Sequence, residues 1–406
     1  MPREGSGSLS SLRELNRGRV IESLRELGVA SRADIARSTG LSAATVSTLV
    51  NELLDAGVVI DYVGEEHAKR GGHGGRPPSL LSLDRSVGVA IGIDFGKRHL
   101  AVAVSDLSHE VLAEHWRKMR EDYDARTGMK AAEKLVDEVL ERAGVARDQV
   151  LGVGLGLAGP IHNSTGTIGS SAILPGWVGV HVAREMGERL QLPVHADNDA
   201  NLGALAELHW GAGQGASCLV YLKLATGIGA GLVIDRRLFH GAGGTAGEIG
   251  HTTIDEAGPI CRCGNRGCLE MIAAAPAVVE LLRATYGEDL TIERVVELAR
   301  EGDPGCRRAI ADSGSNTGHA VANLVNLFNP ERIVVGGPMG SAGDVLLDPL
   351  REAVRRRVIP SAAEDVEIVP GVLGDRAEML GAVALVLNQH EQGVVASQPL
   401  GEVAVQ

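Results

Sequence analysis

The sequence predicts an α/β protein of two related lobes, preceded by a mainly α winged helix-turn-helix unit. Three observations carry this expectation. The first 60 residues read as three helices, two with apolar stripes at helical spacing and two opened by capping serines, and two short β-type runs follow. Two glycine-containing strand–turn–strand segments, "VGVAIGIDFGKRHLAVAVSDL" at 87–107 and "SCLVYLKLATGIGAGLVIDRRL" at 217–238, share one plan although more than a hundred residues separate them. Each is followed by alternating helical and strand-like segments, the pattern of a layered α/β lobe.

In chain order, Val20, Ile21, Leu24 and Leu27 recur at helical spacing before Gly28. Ser31 is placed to cap a second helix, "RADIARS", which stops at "TGL". Ser42 caps a third, where Val46, Leu49, Val50 and Leu53 form an i, i+3, i+4, i+7 stripe. Gly57 ends it. "VVIDYV" then reads as a strand and "LLSL" as its return, joined by the basic, glycine-rich wing "GEEHAKRGGHGGRPPS". The opposite face of the third helix carries Ala44, Ser47, Thr48 and Asn51, with Ser42 and Thr45 at its start. These small or hydrogen-bonding residues suit a major groove, and Arg76 at the wing tip suits a minor groove. A plain helical hairpin with a polar face is the alternative. Beyond Val87, helical periodicity returns at 129–143 and 304–328, and strands at 150–159 and 332–337. The expected division is a DNA-binding unit over 1–84, the two lobes over 85–388, and a loosely ordered tail over 389–406.

Length and composition set the class. At 406 residues, with 44% hydrophobic and 22% charged residues, the chain suits two or three soluble globular domains. No apolar run reaches the roughly 18 residues of a membrane span, and the first residues lack the apolar core of a secretory signal. The net charge of −13 argues against a nucleic-acid partner when taken alone. Its distribution leaves room for one at the N-terminus: residues 1–84 hold 10 Lys+Arg against 11 Asp+Glu, and the rest hold 29 against 41, although many nucleic-acid modules are overtly basic. Five cysteines, an odd number, do not suggest a secreted disulfide framework. A cytoplasmic protein is expected.

Three of those cysteines fall within "CRCGNRGCLE" at 261–270. Cys261, Cys263 and Cys268, with His251 ten positions earlier, offer three thiolates and an imidazole, the donor set of a closed, structural tetrahedral Zn²⁺ site. A redox pair would prefer C-x-x-C beside a thioredoxin-like βαβ unit, and a C-x-C disulfide would close a strained small ring. Gly264 and Gly267 permit the tight turns around such a metal.

"GEIGH" at 247–251 followed by this cysteine run closely resembles the signature of the ROK family of repressors, open reading frames and sugar kinases. The resemblance spans 87–388 through "LAGP" (157–160), "LPGW" (174–177), "DNDANLGALAE" (197–207) and "ATGIGAGL" (225–232). The preceding winged unit matches the repressor branch. The resemblance implies a two-lobed, actin-like ATPase fold with a sugar site in its cleft, braced by the zinc loop. It places sugar contacts on Asn198, Asp199, Glu248, His251 and Glu270, with His251 serving metal and sugar through different nitrogens. Asp199 matches the kinases' catalytic base. The kinase pattern D-x-G-G-T-K appears here as Asp94-Phe95-Gly96-Lys97-Arg98, without the second glycine and the threonine. The second phosphate loop begins with Ala225, the adenosine loop reads Gly336-Gly337-Pro338, and Ile173 stands where the family often has Asn. ATP with Mg²⁺ is therefore not expected as a cofactor. The resulting expectation is a sugar-responsive DNA-binding regulator, most readily a repressor, that binds operator DNA, a small sugar or derivative, and itself as dimer or tetramer, with no membrane partner. The rivals are a sugar kinase carrying a DNA-binding unit, and a DNA-bound scaffold that no longer senses sugar.

Overall fold

The computed structural model describes residues 9–62, 79–121, 123–159, 161, 167 and 175–396. The N-terminal unit holds helices Leu9–Leu27, Arg32–Thr39 and Ala43–Asp55. Ser31 caps the second through a reciprocal box: its hydroxyl accepts from Asp34 N, and Asp34 Oδ2 accepts from Ser31 N at 2.9 Å. Gly40, at φ 70°, ends that helix, a left-handed position that favours glycine. Val46, Leu49, Val50 and Leu53 are all buried, packed with Val20, Ile21, Leu24, Ile35 and Leu81 in one core. Leu27, read as part of the first stripe, is 47% exposed, because it is the last helical residue and lies past the covering helices. Instead of a two-stranded ribbon, the sheet has three antiparallel strands in the order Ala30–Ser31, Leu80–Leu83, Val59–Tyr62. The extra strand is only two residues long, too short to leave a periodic signal. Arg76 and the wing loop up to Pro78 lie outside the described residues.

The two lobes repeat one sheet plan. The first sheet runs Val111–Lys118, His99–Asp106, Val89–Phe95, Val150–Leu157, Val194–Asn198. The second runs Arg237–Leu238, Ile228–Ile234, Leu219–Leu224, Arg332–Gly336, Glu367–Pro370. In each, antiparallel hairpins give way to two parallel strands, and the two glycine-containing segments of the sequence form the equivalent central hairpins. Helices Ala125–Ala143 and Val182–Leu190 bury apolar faces with the first sheet, and Ala275–Tyr286, Pro304–Phe328 and Asp344–Arg355 with the second.

Helices Asp199–Trp210 and Ala377–Ala396 pack on each other and join the lobes: the latter lies on the first sheet, and the former also reaches the second. Close approach requires glycine. A Cβ on Gly381 would lie 1.9 Å from the Leu202 carbonyl oxygen, and one on Gly231 would lie 2.3 Å from that of Ala200. The last helix continues to Ala396, across the start of the tail expected from 389. Among the described residues, no helix is long and apolar enough to cross a membrane.

At the C-terminal end of Asp199–Trp210, the rings of His109 and His209 meet edge-on at 4.6 Å, and His109 stacks on Trp210. Among the described residues, neither ring nitrogen of His109, nor Nδ1 of His209, has a hydrogen-bond partner. Burial, with Arg25 adding, pushes His109 well below the ordinary imidazole range; burial drives His209 down to about 3 despite the pull of Glu22. Burial thus disfavours the charged form of both in the fold, whereas unfolded histidine binds a proton near pH 6.5. Stability should therefore fall as pH drops below about 6.5, by roughly 1.4 kcal/mol per pH unit for each ring. Denaturant unfolding at pH 7 and pH 5 should show this slope, and His209→Gln should roughly halve it. An unchanged slope in that variant would count against neutral burial.

Candidate functional site

A cleft of about 900 Å³ opens between the lobes, and all five residues expected to contact a ligand line it. Strand Val194–Asn198 delivers Asn198 and Asp199 to the start of the lobe-joining helix. Asn198 caps that helix, Oδ1 accepting from Ala200 N at 2.8 Å and Nδ2 donating to Gly159 O at 3.0 Å. Asp199 Oδ1 also accepts from Ala200 N, and Oδ2 accepts from Lys223 Nζ at 2.9 Å. From the second lobe, a 3-10 turn Ile249–His251 sets Glu248 and His251 side by side, and helix Leu269–Ala273 carries Glu270. Burial pushes the Glu248 carboxyl up, with Asp199 and Glu270 adding to the effect against the pull of His251.

His251, Cys261, Cys263 and Cys268 come together, their donor atoms all within 4.8 Å of one another, and could hold one metal ion. His251 Nδ1 lies 3.5 Å from Cys261 Sγ, and Cys263 Sγ lies 3.6 Å from Cys268 Sγ. The other imidazole nitrogen, Nε2, faces Glu248 at 3.8 Å. One histidine thus points one nitrogen at the thiols and the other toward the ligand carboxylates. The loop is shaped by backbone bonds from Cys261 N to Asn265 O and from Gly267 N to Pro259 O. A Cβ on Gly267, at φ 63°, would lie 1.5 Å from Asp255 O, so only glycine fits there. Between the first two thiols, Arg262 reaches Glu270, Nη2 to Oε2 at 2.9 Å.

Lys223, Glu378, Asp94, His99 and Arg262 are cleft residues that the sequence reading did not assign to ligand or metal. Lys223, on strand Leu219–Leu224, crosses from the second lobe to Asp199 Oδ2 and to Glu378 Oε1, the latter at 2.7 Å. Burial works against its charge, but Asp199 and Glu378, then Asp94, outweigh it and hold the ammonium well above the ordinary lysine range. A lone lysine in the apolar run "LVYLKL" was the available signal. Asp94 Oδ2 lies 2.6 Å from His99 Nε2, and the His99 ring stacks on Trp116. Burial opposes charge on that ring, but the hydrogen bond and charge of Asp94 push its pKa up.

The first phosphate turn is filled rather than open. His99 lies against Gly96 so closely that a Cβ there would fall 2.0 Å from Cε1. The charges of Lys97 and Arg98 are both committed to Glu121, at 2.8 and 2.7 Å. Ala225, Gly337 and Pro338 line the cleft as well. Ile173 lies outside the described residues.

In the winged unit, Ser42, Ala44, Thr48 and Asn51 are exposed along the third helix, with Thr45 and Ser47 partly buried. Several of these groups have local partners. Ser42 Oγ accepts from Thr45 N, Thr48 Oγ1 donates to Ala44 O, and Asn51 Oδ1 accepts from Arg32 Nη2 at 3.0 Å. Arg32, which also reaches Ser79 Oγ, orients Asn51 and was not singled out from the sequence.

Comparison with known proteins agrees with this architecture. The ROK family pattern matches residues 90–389, and a winged helix-turn-helix DNA-binding pattern matches residues 13–60. The xylose repressor of Caldicellulosiruptor bescii is 33% identical over 395 residues, covering 94% of this chain and 98% of its own. The crystal structure of a ROK family transcriptional regulator, a homologue of Escherichia coli Mlc, superposes with a TM-score of 0.76 at 27% identity, covering 95% of this chain and 98% of its own. A ROK family glucokinase from Streptomyces griseus, solved with glucose and AMPPNP, gives 0.65 at 29% identity and covers 73% of this chain and 99% of its own. The chain therefore belongs to the ROK family, in the form that carries a winged helix-turn-helix ahead of the two lobes.

Proposed function

We propose that this protein is a transcriptional repressor that binds operator DNA as a homodimer or tetramer and releases it when a small sugar of pentose type, such as xylose, enters the cleft. The observation that carries this reading is the unit-for-unit match to a xylose repressor along 94% of the chain. The cleft supports it. Asn198, Asp199, Glu248, His251 and Glu270 face one space from both lobes, and such groups can fork onto the vicinal hydroxyls of a buried sugar. The charges of Lys223 and Arg262 are already answered by carboxylates, which favours an uncharged ligand over a sugar phosphate. Lys97 and Arg98 paired to Glu121, and His99 packed on Gly96, speak against this first turn as a phosphate cradle for ATP. The Mg²⁺ it would bring is not required.

The metal of this reading is zinc, in a structural role. Zn–S and Zn–N bonds of about 2.3 and 2.0 Å in a tetrahedron put donors roughly 3.5–3.8 Å apart. The 3.5 and 3.6 Å separations at His251–Cys261 and Cys263–Cys268 match. Bound there, zinc would join the turn carrying His251 to the helix carrying Glu270. On the DNA side, Ser42, Ala44, Thr45, Ser47, Thr48 and Asn51 present the third helix to a major groove and Arg76 supplies the wing. Residues 1–84 form the DNA unit, 85–388 the sensor, and the protein works in the cytoplasm.

The test is an operator shift assay with a panel of pentoses and hexoses. Release by one of them is expected. Glu248→Ala and Asp199→Ala should keep operator affinity but need at least about tenfold more sugar, since a hydrogen bond to a charged group contributes about 1.5–3 kcal/mol. In Asp199→Ala, Lys223 keeps Glu378 as its partner. ATP-dependent sugar phosphorylation that vanished in Asp199→Asn would replace this reading with the kinase one.

A further inference from the structure

A cluster of charges outside the cleft joins the winged unit to both lobes at once. On the first helix, Leu9–Leu27, Glu22 and Arg25 stand one turn apart on the same face, paired through Oε2 and Nη1 at 2.6 Å. Glu22 Oε1 accepts from Arg236 Nη2 at 2.7 Å, and Arg236 belongs to the second lobe, in the turn between strands Ile228–Ile234 and Arg237–Leu238. Arg25 Nη2 donates to Leu107 O at 3.4 Å, and Leu107 follows strand His99–Asp106 of the first lobe. One helical face of the DNA-binding unit therefore holds a point on each lobe.

Two features give these contacts a fixed geometry. Asp235 and Arg236 both take left-handed backbone, at φ 51° and 61°, an uncommon conformation for residues other than glycine, which aims the guanidinium at Glu22. Arg236 is also tied to its own lobe through Nη1 and Ala216 O. Helix Asp199–Trp210 connects this place to the cleft. Its first residue is Asp199, and His209 and Trp210 at its far end pack with His109 beside Glu22, roughly 18 Å away for 12 residues at 1.5 Å each.

We propose that Glu22 is the positioning residue that docks the winged unit onto the second lobe, and that its bond to Arg236 is the contact through which lobe closure reaches the DNA-binding unit. The coupling half of this statement rests on the sugar-responsive reading above; the docking half does not. When a ligand draws the lobes together, Arg236 and Leu107 shift relative to one another. Glu22 and Arg25, one turn apart on a rigid helix, cannot follow both. The helix must then either tilt with the second lobe or lose Arg236, and either outcome reorients the recognition helix packed upon it.

The experiment uses the full chain with Glu22→Gln, Arg236→Ala, Arg236→Lys and the Glu22→Gln/Arg236→Ala double variant. Hydrogen exchange across residues 9–27, without DNA or sugar, reads docking. It should rise in Arg236→Ala and Glu22→Gln and stay near the parent's in Arg236→Lys, which keeps the charge. Unchanged exchange in Arg236→Ala would overturn the docking role. Operator affinity with and without saturating xylose reads coupling. The parent should show a factor within the usual allosteric range of about 5–150. Arg236→Ala, Glu22→Gln and the double variant should all fall to less than about twofold, Arg236→Lys should keep most of the response, and xylose affinity without DNA should stay near the parent's. A full response in Arg236→Ala would overturn the coupling role. A parent that ignores every sugar in the panel would defeat the functional reading and the coupling with it, while the exchange result still decides the docking.

Discussion

If the cluster holds zinc as proposed, Cys268→Ser is expected to lose it, loosen the segment 252–267 and abolish the proposed sugar binding, while most of the fold survives. Between Thr252 and Cys268 the only buried residues are Gly258, Cys261, Gly267 and Cys268, and Ile260 is 66% exposed. Beyond Ile254, which packs against the second lobe, and a few backbone bonds, the loop has little to hold it, so bound metal should contribute much of its order. Structural zinc contributes apparent free energies of about 10–16 kcal/mol in small domains that depend on it. Here the second lobe has a large core of its own, so the loss should be largely confined to the loop. Cys268 is fully buried and immediately precedes the helix bearing Glu270, which makes it the ligand whose loss reaches furthest into the cleft. Elemental analysis should give about one zinc per chain in the parent and none in the variant. Hydrogen exchange should rise over 252–267, and calorimetry should detect no sugar binding. A variant with parental exchange and sugar affinity would show that the loop stands without metal.

Lys223→Met should lower stability by about 3–5 kcal/mol at neutral pH, the usual cost of removing one partner from a buried ion pair. The substitution conserves most of the side-chain length but leaves Asp199 and Glu378 without their cation, close to Asp94, which keeps His99 as its partner. Glu378 and Asp94 are 6% and 4% exposed, so water screens them little. Two signatures separate this from a packing defect. The deficit should shrink at pH 5 relative to pH 8, because the unpaired carboxylates then take up protons more readily in the folded chain. Adding Glu378→Gln should recover part of the loss, since neutral replacement of both partners is far cheaper than orphaning one. Denaturant unfolding of both single variants and the double variant measures this. Additive losses that do not change with pH would contradict the ion-pair account.

What was legible in the sequence had local causes. The stripe Val46, Leu49, Val50, Leu53 and the caps Ser31 and Ser42 depend on residues three or four apart, and all took their expected places. The repeated glycine-containing hairpins and the cysteine loop are also local, and they located both sheets and the candidate metal centre. The ligand residues were placed by the resemblance to a family, not by spacing. What escaped depends on distant parts of the chain. Lys223 meets Glu378 across more than 150 residues, and Glu22 meets Arg236 across more than 200. The Lys97 and Arg98 charges could have been read as phosphate-seeking until Glu121, on the far side of a strand pair, was found to hold both. The two-residue strand Ala30–Ser31 exists only because Leu80–Leu83 returns beside it.

Titrating xylose calorimetrically into the protein, once free and once saturated with its operator fragment, tests the central claim most directly. A ligand that weakens DNA binding must itself be weakened by DNA to the same factor, because the coupling free energy is reciprocal. The account predicts that operator-bound protein binds xylose at least about fivefold more weakly than free protein. It also predicts that Glu248→Ala binds xylose feebly in both states. Equal xylose affinities with and without operator would contradict the claim that this cleft controls the DNA-binding unit.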